Sequence, residues 1–221
     1  MSYLVKRAQV KPDITAPFDA PCWADAAVMK VNRFYKEGSG FNPEVNFKLM
    51  YDAEGLYGLF EVHDQYVRCT NTQFQSGVCC DSCLEFFVRP AAGVGYQNFE
   101  ISASGTMLCM HITNPGRTAK GFIEYRFLTE EEVKDIKIFH TLPDVVEPEL
   151  QGPRTYRLGW FMPFSLFKHL NGAPVPTAGT VWRANVYKCG DKTSHPHWQS
   201  WTPLRAVNFH VPDEFGKIVF G

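Results

Sequence analysis

No stretch of this chain approaches the ~20 consecutive apolar residues that a membrane-crossing helix needs. Positive charge is sparse: no Lys/Arg block is longer than Lys6-Arg7, and a net charge of −1 offers a nucleic acid no electrostatic foothold. Asn-x-Ser/Thr acceptor sites, internal repeats and low-complexity tracts are all missing. The seven cysteines, at 22, 69, 79, 80, 83, 109 and 189, are odd in number and irregularly spaced, which fits reduced thiols rather than a disulfide framework. Lys6 and Arg7 interrupt the first residues before a signal-peptide core can form. Together these features predict a cytoplasmic protein, or a secreted or periplasmic one from which a leader has been removed.

Aromatic residues are abundant instead. The 18 Phe, 9 Tyr and 5 Trp favour strands and stacking surfaces over helix bundles. With 45% hydrophobic residues, 221 positions suffice for a substantial core. Val45, Phe47, Leu49 and Tyr51 alternate with mostly polar neighbours, the pattern of a strand with one buried face. Asp52-Ala-Glu-Gly55 reads as a turn and 56–64 as the returning hairpin arm. Further strands are expected at 84–88, 99–103, 106–112, 121–127, 136–142, 156–161, 181–188 and 217–220. Helix signals are confined to Pro163–Leu170, closed by Asn171-Gly172, and to one turn capped by Thr129. Stretches 65–81 and 143–153 read as long loops. The pattern predicts an all-β fold: an antiparallel β-sandwich with jelly-roll or immunoglobulin-like layers and one or two short helices, in a single domain over 1–221. Val45, Phe47, Leu49, Phe60, Val62, Phe86, Phe99 and Ile101 form the expected core, and Trp182 reads as core too.

Three segments combine aromatic and polar side chains: Trp182–Tyr187, Ser200–Pro203 and Phe209–Ile218. An aromatic face packs the C–H face of a sugar ring, while its hydroxyls need paired donors and acceptors. Trp201 reads either as such a platform or as a core Trp at a sheet edge. Glu85 shares a strand face with Cys83 and Phe87, so its carboxylate needs a partner: sugar hydroxyls, Arg183 or a cation. Asn98 with Glu100, and Arg183 with Asn185 and Tyr187, form two more polar rows. Their convergence would make a polar floor beside Trp201. Glu85 and Glu100 also admit a glycoside hydrolase, which needs two facing carboxyl groups. A third reading is a protein-interaction sandwich whose exposed aromatics touch a partner. Cys79, Cys80 and Cys83 lack the second pair that zinc-site spacing uses, and read as structural thiols.

Four motifs resemble the family 9 carbohydrate-binding modules, first known as appendages of xylanases. They are the hairpin from Leu49-Met-Tyr51-Asp52 to Val62-His-Asp64, the acidic strand Asp81–Phe87, Tyr96–Ile101 followed by Gly105, and the C-terminal Pro212-x-x-Phe215-Gly216-x-Ile218. The resemblance spans roughly 15–221. It implies a non-catalytic module of polysaccharide catabolism that binds mono- or oligosaccharides such as xylan ends between two aromatic rings, with structural calcium nearby. Carried over, Trp201 matches one stacking aromatic, Glu85 the acid that binds hydroxyls, and Asn98 a ligand-binding amide; Arg183 and Asn185 join them from the residue pattern. Where the family has its other stacking Trp this chain has Val78-Cys79-Cys80, leaving Phe74 or Tyr66 to substitute. Asp52, Asp64 and Asp81, at strand ends, are the candidate calcium ligands.

Overall fold

The computed structural model describes residues 1–91 and 93–221. Its first strands are β1 (Ser2–Arg7), β2 (Met29–Lys30), β3 (Arg33–Phe34), β4 (Glu44–Tyr51) and β5 (Gly55–Cys69). There follow β6 (Cys83–Arg89), β7 (Tyr96–Ser102), β8 (Met107–Thr118) and β9 (Gly121–Phe127). After α1 (Glu130–Val133) come β10 (Lys137–His140), β11 (Val146–Pro163) and α2 (Phe164–Asn171). The chain closes with β12 (Val181–Cys189), β13 (Trp198–Ser200) and β14 (Gly216–Phe220). The expected all-β sandwich with short helices is what forms.

One sheet runs β10-β11-β5-β4, and the other β14-β12-β6-β7-β8-β9. The N-terminal strand joins them, pairing parallel with β14 through Ser2–Val5 and parallel with β4 through Lys6–Arg7. Every other pairing is antiparallel. Between the sheets Phe47 packs on Phe60 at 4.3 Å and on Phe86 at 6.3 Å, and Phe86 lies 5.0 Å from Trp160. All eight expected core residues, and Trp182, belong to this cluster.

Of the two stretches expected to be long loops, 143–153 is mostly strand, while 65–81 is strand only at its start, over 65–69. β5 continues to Cys69 and β11 begins at Val146, and the two extensions pair with each other at Cys69↔Val146, Val67↔Leu150 and Tyr66↔Gln151. Register shifts around Gln151 and Arg154 break the alternation that would have revealed them. Gly172, at φ 69°, ends α2 by donating its N–H to the Lys168 carbonyl, as the Asn-Gly signal predicts. Thr129 and Glu132 form a reciprocal capping box on α1.

Both sheets are also covered on their outer faces, against the expectation of strands buried on one side. Residues 8–27 lay Phe18, Trp23 and Ala26 over Met50, Tyr57 and Leu59. There Lys48 is buried and donates to the carbonyls of Phe18 (2.9 Å) and Trp23 (3.2 Å). On the other sheet, Leu204, Phe209 and Phe215 of the C-terminal segment cover Phe87, Tyr96, Met110 and Tyr187. Polar residues that alternation assigns to solvent therefore lie under a third layer.

Gly58 on β5 faces the core where a Cβ would collide with the Trp160 and Phe47 rings. Gly58→Ala is expected to destabilise the protein by about 1–3 kcal/mol through overpacking. The urea midpoint should fall with the slope unchanged; an unchanged midpoint contradicts the packing described.

Candidate functional site

Three strands of the second sheet set one row of side chains on its outer face. Tyr187 of β12 pairs with Glu85 of β6, and Glu85 with Glu100 of β7. The next row out brings Cys189 opposite Cys83. β13 pairs Trp198 with Cys189, which places the Trp198 ring on this same face. These residues and the covering C-terminal segment enclose a cavity of about 210 Å³. Glu85, Glu100 and Cys189 lie at its floor, with Trp198 and Phe209 half-buried among its walls and Asp191, Arg117 and His210 also lining it. Two larger hollows, of about 660 and 600 Å³, are lined by no buried side chain with an unpartnered polar atom.

The floor is acidic and buried. Glu85 is 2% exposed and Glu100 7%. Glu85 Oε1 accepts a bond from the Cys189 thiol at 3.0 Å, while its Oε2 has no partner. Asn98 donates to Glu100 at 2.8 Å. Among the described residues neither carboxyl forms an ion pair. Desolvation, reinforced by the nearby Glu100, therefore lifts Glu85 well above the usual carboxyl range, and desolvation lifts Glu100 to about 7. Desolvation also raises Asp191, whose carboxylate accepts the Trp198 indole N–H at 2.8 Å. His210 is lowered to about 3, first by burial and then by Arg117, so it stands neutral, hydrogen-bonded to the Tyr96 hydroxyl at 2.9 Å. Phe209 is fixed by stacking on Tyr187, with centroids 4.0 Å apart and planes at 8°. The cavity thus offers two aromatic rings, carboxyl oxygens, a neutral imidazole and a guanidinium, a set suited to a neutral ligand with several hydroxyls.

Of the five expected ligand residues, only Glu85 lines the cavity. Asn98 is fully buried behind the floor, its Nδ2 on Glu100 and its Oδ1 accepting from the Met110 N–H. Asn185 is also buried, its Oδ1 accepting from the N–H groups of Val186 and Thr202. Arg183 donates to the Phe215 carbonyl at 3.1 Å and holds the C-terminal segment. Trp201 belongs to the main core, 4% exposed, and a Cβ on Gly216 would stand 2.6 Å from its ring. Alternation along β13 explains this: Trp198 and Ser200 face outward, so Trp201 turns inward and has no free face for stacking. Neither suggested substitute lines this cavity: Tyr66 stacks on His195 at 3.6 Å with Phe41 against it, and Phe74, partly buried against the core, lines the hollow of about 600 Å³.

The candidate calcium ligands do not fit a shared ion. Asp52 accepts from the N–H groups of Glu54 and Gly55 and from the Tyr57 hydroxyl. Asp64 accepts from Gln65, Tyr66 and the Tyr156 hydroxyl, with Lys188 at 3.9 Å. Asp81 accepts from the N–H groups of Thr70 and Asn71, with Arg68 at 3.8 Å. All six carboxylate oxygens serve the chain's own donors.

The fold and the cavity define a β-sandwich module with a candidate ligand site on the outer face of one sheet. The chain belongs to carbohydrate-binding family 9, whose model matches residues 22–220. It is similar to a candidate carbohydrate-binding protein from Bacteroides uniformis, at 25% identity and a TM-score of 0.82, over 100% of this chain and 99% of that one. A family 9 module from Caldicellulosiruptor kristjanssonii shares the fold at 13% identity. Its glucose complex aligns with a TM-score of 0.66, over 100% of this chain and 96% of that one; its cellotriose complex with 0.67, over 100% and 93%. Among curated proteins no sequence matches.

The raised carboxyls give stability a definite pH dependence. At Glu100 the folded chain holds a proton that the unfolded chain releases from about 4.5 upward, so its contribution is complete below about 4.5 and is lost as pH rises through about 7. The urea midpoint is expected to fall across that window. Glu100→Gln should flatten the fall by roughly 3 kcal/mol at its upper end; a slope unchanged in that variant contradicts the assignment.

Proposed function

We propose that the chain binds the end of a mono- or oligosaccharide, without catalysis of its own, in the cavity walled by Trp198 and Phe209. The observation that carries this reading is the unpartnered Oε2 of Glu85, buried at the floor of an aromatic-walled cavity. A buried polar atom without a partner costs about 1–3 kcal/mol, and a ligand hydroxyl donating to it recovers that cost. Membership of carbohydrate-binding family 9 supports the ligand class, as do the glucose and cellotriose held by the Caldicellulosiruptor module. The ring would pack against Trp198 or Phe209, and carboxyl oxygens of Glu85, Glu100 and Asp191 would accept hydrogen bonds from its hydroxyls. Arg117 and Asn208, also lining the cavity, would donate to ring and hydroxyl oxygens. A cavity of about 210 Å³ is small beside the roughly 300–1,000 Å³ of ordinary ligand pockets, which favours a chain end over the middle of a polymer.

The carboxyl pair also bears on the hydrolase reading. Hydrolysis needs one ionised and one protonated carboxyl, set apart by their surroundings. Here desolvation lifts both carboxyls, and release of reducing sugar is the measurement that distinguishes hydrolysis from binding. A binding role needs no such separation.

Calorimetric titration with glucose, xylose, galactose, cellobiose and xylobiose tests the proposal. Saturable binding of at least one sugar is expected, weakened about tenfold or more in Trp198→Ala and in Glu85→Gln, a loss of about 1.4 kcal/mol. No binding across the panel by the folded protein, or equal binding in Trp198→Ala, contradicts it. Release of reducing sugar from the two disaccharides would favour the hydrolase instead.

A further inference from the structure

We propose that Cys83, Glu85 and Cys189 form a site for a thiophilic divalent cation of the zinc class, with one coordination position open to the cavity. This inference shares the Glu85 carboxyl with the saccharide reading, so metal and sugar hydroxyl would compete for Oε2, and it is tested without sugar so that its failure is distinguishable from failure of that reading.

Cys83 and Cys189 lie 106 positions apart in the chain yet directly opposite each other across β6 and β12. Glu85 follows Cys83 by two residues and so shares its face. One ligand atom from each lies within 4.8 Å of the other two, and the Cys189 Sγ is 3.0 Å from Glu85 Oε1. Zinc binds thiolate sulfur at about 2.3 Å and carboxylate oxygen at about 2.0–2.2 Å, so tetrahedral ligand atoms stand roughly 3.5–3.8 Å apart. Side-chain adjustments of an ångström or less reach that geometry.

A second observation points to a missing partner. Glu85 Oε2 is buried with no hydrogen-bond donor, and among the described residues no Lys, Arg or His pairs with Glu85. A bound dication satisfies that oxygen and supplies the counter-charge the floor lacks. On binding, each thiol and the Glu85 carboxyl give their protons to solvent as their bonds to the metal form. The donor set selects the metal: two sulfurs and one oxygen suit zinc, cobalt or cadmium, while calcium and magnesium require cages of oxygen. Because Glu85 and Cys189 line the cavity, a fourth ligand would come from it, as in zinc sites that keep an open position.

Titration of the reduced 221-residue chain with Co²⁺ and then Zn²⁺ tests the site. One ion per chain is expected, with thiolate-to-cobalt charge-transfer absorption that zinc abolishes. Cys83→Ser and Cys189→Ser should each remove the band. Glu85→Gln should keep it and weaken affinity by more than the roughly 10–100-fold that loss of an outer hydrogen-bond partner costs. The double variant Cys22→Ser/Cys80→Ser should titrate as the unmodified chain does. Absence of the band on folded protein, its survival in both Cys83→Ser and Cys189→Ser, or its loss in the double variant overturns the proposal. X-ray absorption at the zinc edge of the unmodified chain needs no variant to fold: two sulfurs at about 2.3 Å support the site, and a shell without sulfur overturns it.

Discussion

Dehydration of two neighbouring carboxyl groups is the constraint around which the second sheet is organised. Glu85 and Glu100 sit side by side on β6 and β7, on a face that strand alternation would give to water. The C-terminal segment closes over that face and buries both side chains. Unpaired charge there is costly, so both groups retain protons to higher pH than exposed carboxyls do. Two donors work against that shift without cancelling it, Asn98 on Glu100 and the Cys189 thiol on Glu85, and the second oxygen of Glu85 is buried without a partner.

The covering layer follows from the sheets themselves. β12 and β6 carry large apolar residues on both faces, including Phe87 and Tyr187 on the outer one, and those need burial as much as Phe86 and Trp182 do on the inner. Arg183 holds the Phe215 carbonyl and Tyr187 holds that of Phe209. The segment that completes the hydrophobic burial therefore also supplies Phe209 and His210 to the cavity. Stability and site formation share the same contacts, and weakening the C-terminal cover would open the acidic floor to water.

Much of the architecture was legible in the sequence. Alternation at 45–51 and 84–88, the Asp52–Gly55 turn, the Asn171-Gly172 stop and the Thr129 cap all correspond to observed elements. The short edge strands at 2–7 and 198–200 were not, because a strand of three to six residues beside turns leaves too little periodic pattern. That omission carried into the site. Without β13 and its pairing with β12, the sequence does not show that Trp198 faces outward and Trp201 inward, so the expected platform falls on Trp201 while the structure places Trp198 at the cavity. The polar rows at Asn98 and Asn185 were recognised, yet most of their bonding capacity is used within the fold. The Cys83–Cys189 pair escaped a search by spacing because its members meet across strands rather than along one segment.

The most direct test of the account is a crystal structure of the chain with a bound glucose-terminated oligosaccharide. The account predicts a sugar ring against Trp198 or Phe209, with a hydroxyl about 2.6–2.8 Å from Glu85 Oε2. A sugar bound on another surface, with Glu85 Oε2 still unpartnered, would contradict it.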